Sequence, residues 1–282
     1  KGSYIKLSAR SKEKINPFDL ASSVANKSEM AEHIQNLIEI ISLMAEGLNA
    51  KEKAAVDKTL IKIYQKKTKT PPLLEDLYKG LSSLEQTELK SRLEKYISGS
   101  LAEVFNAQTN IELSNRLVVF DIKDLPESLR KIMMMIVANF VSNQVKVHPE
   151  KRLLVIDEAW LLLEHEESAR FVAGLVRRAR KYYLGVSIIS QQASDFLKSD
   201  YGRAIASQSS LRILMRQDTT TIRHIVSEFK LSEYEENFLL TCDKGEALVI
   251  ADQSHVAIKV VASEKEHPLI TTNPAELYEN LK

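Results

Sequence analysis

The sequence predicts an α/β protein with a mainly parallel sheet, an inserted all-helical stretch and a C-terminal β-hairpin. Three observations carry that prediction. First, four short apolar runs, Leu117-Val118-Val119-Phe120, Leu153-Leu154-Val155-Ile156, Val186-Ser187-Ile188-Ile189 and Leu211-Arg212-Ile213-Leu214-Met215, are mostly continuous rather than alternating. Strands buried on both faces, as in parallel sheets, read this way. Second, helical periodicity fills the gaps between the first three runs, and strand–helix–strand alternation means βαβ units. Third, residues 29–105 carry helical patterns and no strand pattern.

Each element has its own signal. Tyr4-Ile5-Lys6-Leu7 alternates like a short strand. Ile15-Asn16-Pro17-Phe18-Asp19-Leu20 reads as a fixed loop, because Pro17 restricts its own φ and extends Asn16. Ile34, Leu37, Ile38, Ile41 and Met44 recur at helical spacing, and Gly47 can end that helix. Asn49-Ala50-Lys51-Glu52 resembles a capping box for the next helix, whose apolar side is Val56, Leu60, Ile61 and Tyr64. Lys66-Lys67-Thr68-Lys69-Thr70-Pro71-Pro72 is a break, after which shorter helices are expected at residues 73–79, 87–96 and 101–105. Leu129, Ile132, Met133, Ile136, Val137, Phe140 and Val141 share a face of a longer helix, and residues 166–182 form another. The hairpin comprises residues 246–251 and 255–262, flanking Asp252-Gln253-Ser254. The expected organisation is a core part at residues 1–24, a helical subdomain at 25–110, and the rest of the core at 111–282.

Bulk properties narrow the function classes. A chain of 282 residues can bury a core without disulfide or metal staples. The formal net charge of +1 gives no global attraction to nucleic acid or anionic lipid, so such contacts need a local patch. The single cysteine, Cys242, excludes an intrachain disulfide and has no base beside it. The histidines show no metal-ligand spacing; His165, His224 and His255 read as surface or structural. No apolar run approaches the ~20 residues that span a bilayer. The N-terminal residues lack the apolar region of a signal peptide, so a cytoplasmic chain is expected.

The sharpest motif is Leu153-Leu154-Val155-Ile156-Asp157-Glu158. An apolar strand ending in Asp-Glu delivers Asp157 to the carboxyl edge of the sheet, where open α/β folds bind ligands. There Asp157 can hold Mg²⁺, and Glu158 can orient or deprotonate an attacking water. The plainer alternative is two acids solvating a strand end. Val186-Ser187-Ile188-Ile189-Ser190-Gln191-Gln192 is a second apolar strand ending in amides. Gln191 can contact a γ-phosphate or the lytic water; the alternative is a polar strand terminus. Arg177-Arg178-Ala179-Arg180-Lys181 ends the preceding helix and has three open uses. It can complement the helix dipole, supply an arginine finger to a neighbouring subunit, or touch DNA phosphates. Arg216 is a second finger candidate. Met133-Met134-Met135 and Trp160 read as packing residues.

A phosphate loop, G-x-x-x-x-G-K-[ST], is absent: none of the eight glycines is followed by Lys-Ser or Lys-Thr. The expectation is that this loop and its strand lie upstream of the 282 residues. The alternative is a chain that does not bind nucleotide.

Several stretches together resemble one family: Ile15-Asn16-Pro17-Phe18-Asp19, Val119-Phe120-Asp121-Ile122, Val155-Ile156-Asp157-Glu158-Ala159-Trp160, Arg178-Ala179-Arg180-Lys181, Ser190-Gln191-Gln192-Ala193-Ser194-Asp195 and Thr272-Asn273-Pro274-Ala275-Glu276. They look like the VirB-four-type ATPases of type IV secretion and conjugation, in the FtsK- and HerA-like branch of RecA-like P-loop ATPases. The resemblance spans residues 1–280. It implies a RecA-like core, use of ATP and Mg²⁺, and assembly as a ring, a hexamer, at the cytoplasmic face of the inner membrane with other secretion subunits. Asp157 would then be the Walker B acid and metal ligand, Glu158 the catalytic carboxylate, Gln191 the sensor amide, and Arg180 or Arg216 the finger acting in trans. The implied function is powering pilus assembly or transfer of DNA or protein. The rivals are an FtsK- or HerA-like DNA translocase, which adds DNA as a partner, and a non-catalytic structural subunit.

Overall fold

The computed structural model describes residues 2–20, 26–66, 68–81, 87–147 and 150–276. The expected boundary at residues 24–25 lies outside the described residues. The chain divides into two compact units, Lys1–Gln191 with Lys198–Ile205, and Gln192–Leu197 with Ala206–Lys282.

The first unit begins with strand β1 (Ser3–Lys6), which pairs in parallel with β2 (Val118–Asp121) in the register Ser3↔Val118 to Lys6↔Asp121. Between these partners come the helices α1 (Lys27–Met44), α2 (Ala50–Gln65), α3 (Leu74–Gly80), α4 (Thr87–Leu93) and α5 (Ala102–Phe105). No strand occurs among the described residues of that stretch. The ends of α1 and α2 follow local rules. Asn26 and Asn49 are N-caps, each completing a capping box with the glutamate three residues on, Glu29 and Glu52. At the far end of α1, Gly47 N–H reaches Ser42 O and Glu46 N–H reaches Leu43 O, the Schellman pattern, with Glu46 at φ +58° and Gly47 at +110°. α1 packs on α2 and on two later helices, α6 (Glu127–Val147) and α8 (Glu166–Ala179), so the helical stretch is anchored to the strand-bearing part. The apolar face read from the sequence, including Ile132, Met133, Ile136 and Phe140, is buried in α6.

β3 (Arg152–Ile156) pairs in parallel with β4 (Leu184–Ile188), connected through α7 (Trp160–Leu163) and α8. The parallel expectation holds for β1 with β2 and for β3 with β4. Burial on both faces does not: Ile156 is buried, but Leu153 and Val155 are 67% and 52% exposed on the opposite face of β3.

The second unit carries the larger departure. β5 (Leu211–Leu214) pairs antiparallel with β6 (Glu246–Ala251), which pairs antiparallel with β7 (Ser254–Lys259). The fourth apolar run is therefore not part of a parallel pair here. Its register, Leu214↔Leu248 and Arg212↔Ile250, places Leu214, Leu248 and Ile250 on one face. That face is buried with Ile222 and Ile225 of α10 (Ile222–Phe229) and Leu239 of α11 (Glu233–Thr241). One shared apolar core fixes this pairing, whereas continuous hydrophobicity alone does not encode strand direction. A short helix α9 (Asp200–Gln208) precedes β5, and α12 (His267–Ile270) follows the hairpin.

The loop after β1 is tied down by polar contacts. Asn16, almost fully buried, donates through Nδ2 to Pro72 O (2.9 Å) and accepts from Phe18 N–H (3.0 Å). Tyr64 of α2 donates to Phe18 O (2.7 Å) and meets His33 Nε2 at 2.8 Å. With the tyrosine proton committed to the carbonyl, the imidazole donates from Nε2, and Nδ1 is buried without a hydrogen-bond partner. Burial, and then the nearby Lys146 charge, pull the His33 pKa down to about 4 from 6.5. The folded state therefore holds this imidazole neutral, and the unfolded chain binds the extra proton between those values. Stability linked to His33 is present above pH 6.5 and is lost as pH falls towards 4, by up to ~3 kcal/mol. Denaturant titrations of wild type and His33→Gln across pH 7 to 4 should show the variant with the flatter profile; parallel profiles would exclude the linkage.

Candidate functional site

The site grows from the ends of β3 and β4. Their ladder continues one step past the strands, with Ile189 N–H donating to Ile156 O (2.9 Å) and Ala159 N–H to Ile189 O (2.9 Å). This extension brings the segment after each strand to the same, carboxyl edge. Asp157 and Glu158 sit between those two rungs, and Glu158 adopts the left-handed conformation, φ +52°. For a residue with a Cβ that conformation costs about 1–2 kcal/mol. It turns the chain sharply, so that α7 starts at Trp160 and buries Leu161, Leu162 and Leu163. The three leucines and the Ala159 rung hold the turn in place.

The Glu158 carboxylate is gripped from two sides. Gln191 Nε2 lies 2.9 Å from Oε1 and 3.0 Å from Oε2. The Trp160 indole N–H donates to Oε2 at 2.6 Å. Asp157 is exposed, and its Oδ1 accepts from Glu158 N–H at 2.9 Å. The structure thus brings Glu158 and Gln191 into direct contact across 33 positions of sequence, with Asp157 alongside. Trp160, read from the sequence as a packing residue, is half-buried but is also a donor to Glu158. Its position two residues after the acid and its single N–H were the available signal.

The arginine candidates lie elsewhere. Arg180 is exposed and precedes β4, whereas Gln191 follows it, so the two occupy opposite ends of a strand roughly 17 Å long. Arg180 therefore does not reach its own chain's Glu158. Its neighbour Arg178 pairs with Glu32 at 3.2 Å, which gives that part of the basic cluster a structural partner. Arg216 is exposed in the second unit, after β5. At the ends of β1 and β2, Asp121 accepts from the Tyr4 hydroxyl and from Lys123 N–H (3.0 Å), which hold its carboxyl below the usual range. In the closing Asn-Pro-Ala-Glu segment, Asn273 Nδ2 donates to Glu276 (3.0 Å) and Asn273 Oδ1 caps Ala275 N–H (3.1 Å), which is a local structural role.

No group of three or more His, Cys, Asp or Glu side chains suited to a metal occurs among the described residues. Mg²⁺ does not require one, since it is usually held by one or two carboxylates, waters and substrate phosphates. An exposed Asp157 with one oxygen tied to backbone fits that pattern.

Residues 81–267 match the TraG P-loop domain. The chain belongs to that family. It is also similar to the VirB4 protein of type IV secretion from Bartonella quintana, 27% identical over 148 residues, or 51% of this chain and 19% of the relative. The Bartonella henselae VirB4 is similar at 26% over the same span. The chain therefore spans about a fifth of the length of these curated relatives. Among solved structures, VirB4 of Thermoanaerobacter pseudethanolicus superposes with a TM-score of 0.82 at 26% identity, covering 94% of this chain and 78% of that one. The plasmid coupling protein TrwB, in complex with the non-hydrolysable ATP analogue ADPNP, shares the fold, with a TM-score of 0.62 at 12% identity over 93% of this chain and 74% of that one. The fold of the TraG P-loop domain family member is thus the RecA-like α/β core expected from its sequence.

Proposed function

We propose that this chain is the motor core of an ATP-hydrolysing subunit of a type IV secretion or conjugation machine, powering pilus assembly or transfer of DNA or protein. The observation that carries the reading is the Glu158 carboxylate, held between Trp160 and Gln191 at the carboxyl edge of two parallel strands, directly after an exposed Asp157. The VirB4 similarity over both sequence and fold supports it.

In this reading Asp157 holds Mg²⁺, which would neutralise charge on the β- and γ-phosphates. Glu158 orients a water in line with the γ-phosphate and accepts its proton as the P–O bond to the leaving diphosphate breaks. Gln191, whose amide meets that carboxylate, would serve as the sensor that contacts the γ-phosphate. Arg180, excluded from its own site by its strand end, acts in trans across a subunit boundary, with Arg216 as the other candidate for that task. The subunits would form a hexameric ring at the cytoplasmic face of the inner membrane, beside other secretion subunits. Residues 25–110 serve as an all-helical subdomain inserted in the core. The reading requires a phosphate loop, which the 282 residues do not contain, and the solvent-exposed Leu153 and Val155 on β3 present an apolar face on which a further element would pack. No described helix is long and apolar enough to cross a membrane.

The test is steady-state ATP hydrolysis by the full-length protein with Mg²⁺, with and without DNA. Hydrolysis independent of DNA supports the secretion motor. Hydrolysis that requires DNA and falls steeply with salt points to a DNA translocase instead. Absence of nucleotide binding refutes the motor and leaves a structural subunit. Arg180→Ala should lower the rate roughly 10³-fold or more if Arg180 is the finger. Mixing that variant with a Glu158→Gln variant should then restore partial activity, because each supplies what its neighbour lacks; no recovery would exclude action in trans.

A further inference from the structure

We infer that Trp160 is a positioning residue for Glu158: its indole N–H holds the carboxylate in aim while Gln191 is free to exchange partners. The inference rests on the proposed ATPase reading for its catalytic consequence, but the contact itself is independent of it.

The two donors to Glu158 differ in how they are supported. Trp160 lies two residues away, on the first residue of α7, behind a turn pinned by the Ala159–Ile189 hydrogen bond and three buried leucines. Its N–H is the indole's sole donor and points at Oε2. Gln191 arrives from another strand end, is exposed, and spreads one amide nitrogen across both carboxylate oxygens. A bond shared over two acceptors at 2.9 and 3.0 Å is more easily traded than a single one at 2.6 Å. Glu158 also sits at a left-handed φ, so its side-chain direction depends on contacts that hold this turn. If Gln191 turns towards a phosphate, Trp160 remains to keep the carboxylate from swinging into solvent. Of the 282 residues this is the only tryptophan, so its ring also reports on the site.

The test uses the indole ¹H–¹⁵N signal, assigned by its disappearance in Trp160→Phe. A hydrogen bond to a carboxylate shifts this proton downfield and slows its exchange with water. Glu158→Ala should move the signal upfield and speed its exchange, whereas Gln191→Ala should leave both close to wild type. An indole signal unmoved by Glu158→Ala overturns the contact, and one moved equally by Gln191→Ala overturns the unequal roles of the two donors. In turnover, Trp160→Phe keeps the ring and the packing but loses the donor. Its kcat should fall about 10- to 100-fold with the KM for ATP unchanged, as expected when a reacting group is misplaced by about an ångström. A wild-type kcat in this variant refutes the positioning role. Lack of hydrolysis by the wild-type protein refutes the ATPase reading, while the indole measurement still decides the contact.

Discussion

Glu158→Gln is expected to lower kcat by about 100- to 10,000-fold, the range a well-placed general base supplies, with nucleotide affinity changed less than about threefold. The substitution is nearly isosteric and keeps an oxygen that can accept from the Trp160 indole. What it removes is the ability to take a proton from water. It also replaces one carboxylate oxygen with an N–H₂ group facing the Gln191 amide, so that donor would meet donor unless one side chain flips. Parallel measurements of hydrolysis and of equilibrium nucleotide binding on the full-length protein separate the two effects. Full activity in the variant would falsify the role given to Glu158. A matched loss of binding and turnover would move Glu158 from proton transfer to substrate binding.

The largest effect on stability is expected from Arg92→Met, a loss of roughly 3–5 kcal/mol. Arg92 of α4 ties two helix ends together. Its Nη1 donates to Ala45 O and Gly47 O, both at 2.7 Å, which serves carbonyls at the C-terminal end of α1. Its Nη2 pairs with Glu52, whose side chain is only 9% exposed. Glu52 in turn accepts from Asn49 N–H at 2.9 Å in the capping box that starts α2. Methionine retains most of the volume but leaves a buried carboxylate without its cation and two carbonyls without a donor. Breaking one side of a buried pair is costly because the remaining charge stays desolvated. Chemical denaturation followed by circular dichroism gives the difference. A loss below about 1 kcal/mol would show that the pair behaves as an exposed one. The double variant Arg92→Met with Glu52→Gln should recover part of the loss, since it removes the stranded charge.

Local patterns were legible before any coordinates. The capping box at Asn49, the amphipathic α6, and the apolar strands ending in Asp157-Glu158 and in Gln191 all depend on residues a few positions apart. The run ending at Met215 reads in sequence as another parallel strand, because continuous apolarity carries no direction. Its partner, β6, begins more than thirty residues later, and only the shared burial of Leu214, Leu248 and Ile250 fixes the antiparallel pairing. Trp160 reads in sequence as a packing residue, because a sequence shows which residue follows an acid but not where a ring turns.

The chain by itself determined its helices, its strand ends and the chemical types offered at the site, because these follow from periodicity, capping and side-chain identity over short stretches. Tertiary structure alone decided which strands pair, that Glu158 turns at φ +52° into reach of both Trp160 and Gln191, and that Arg92 closes on Glu52 from forty residues away. Those outcomes depend on distant segments sharing one buried volume and on desolvated groups finding partners there, constraints that exist only once the chain has folded.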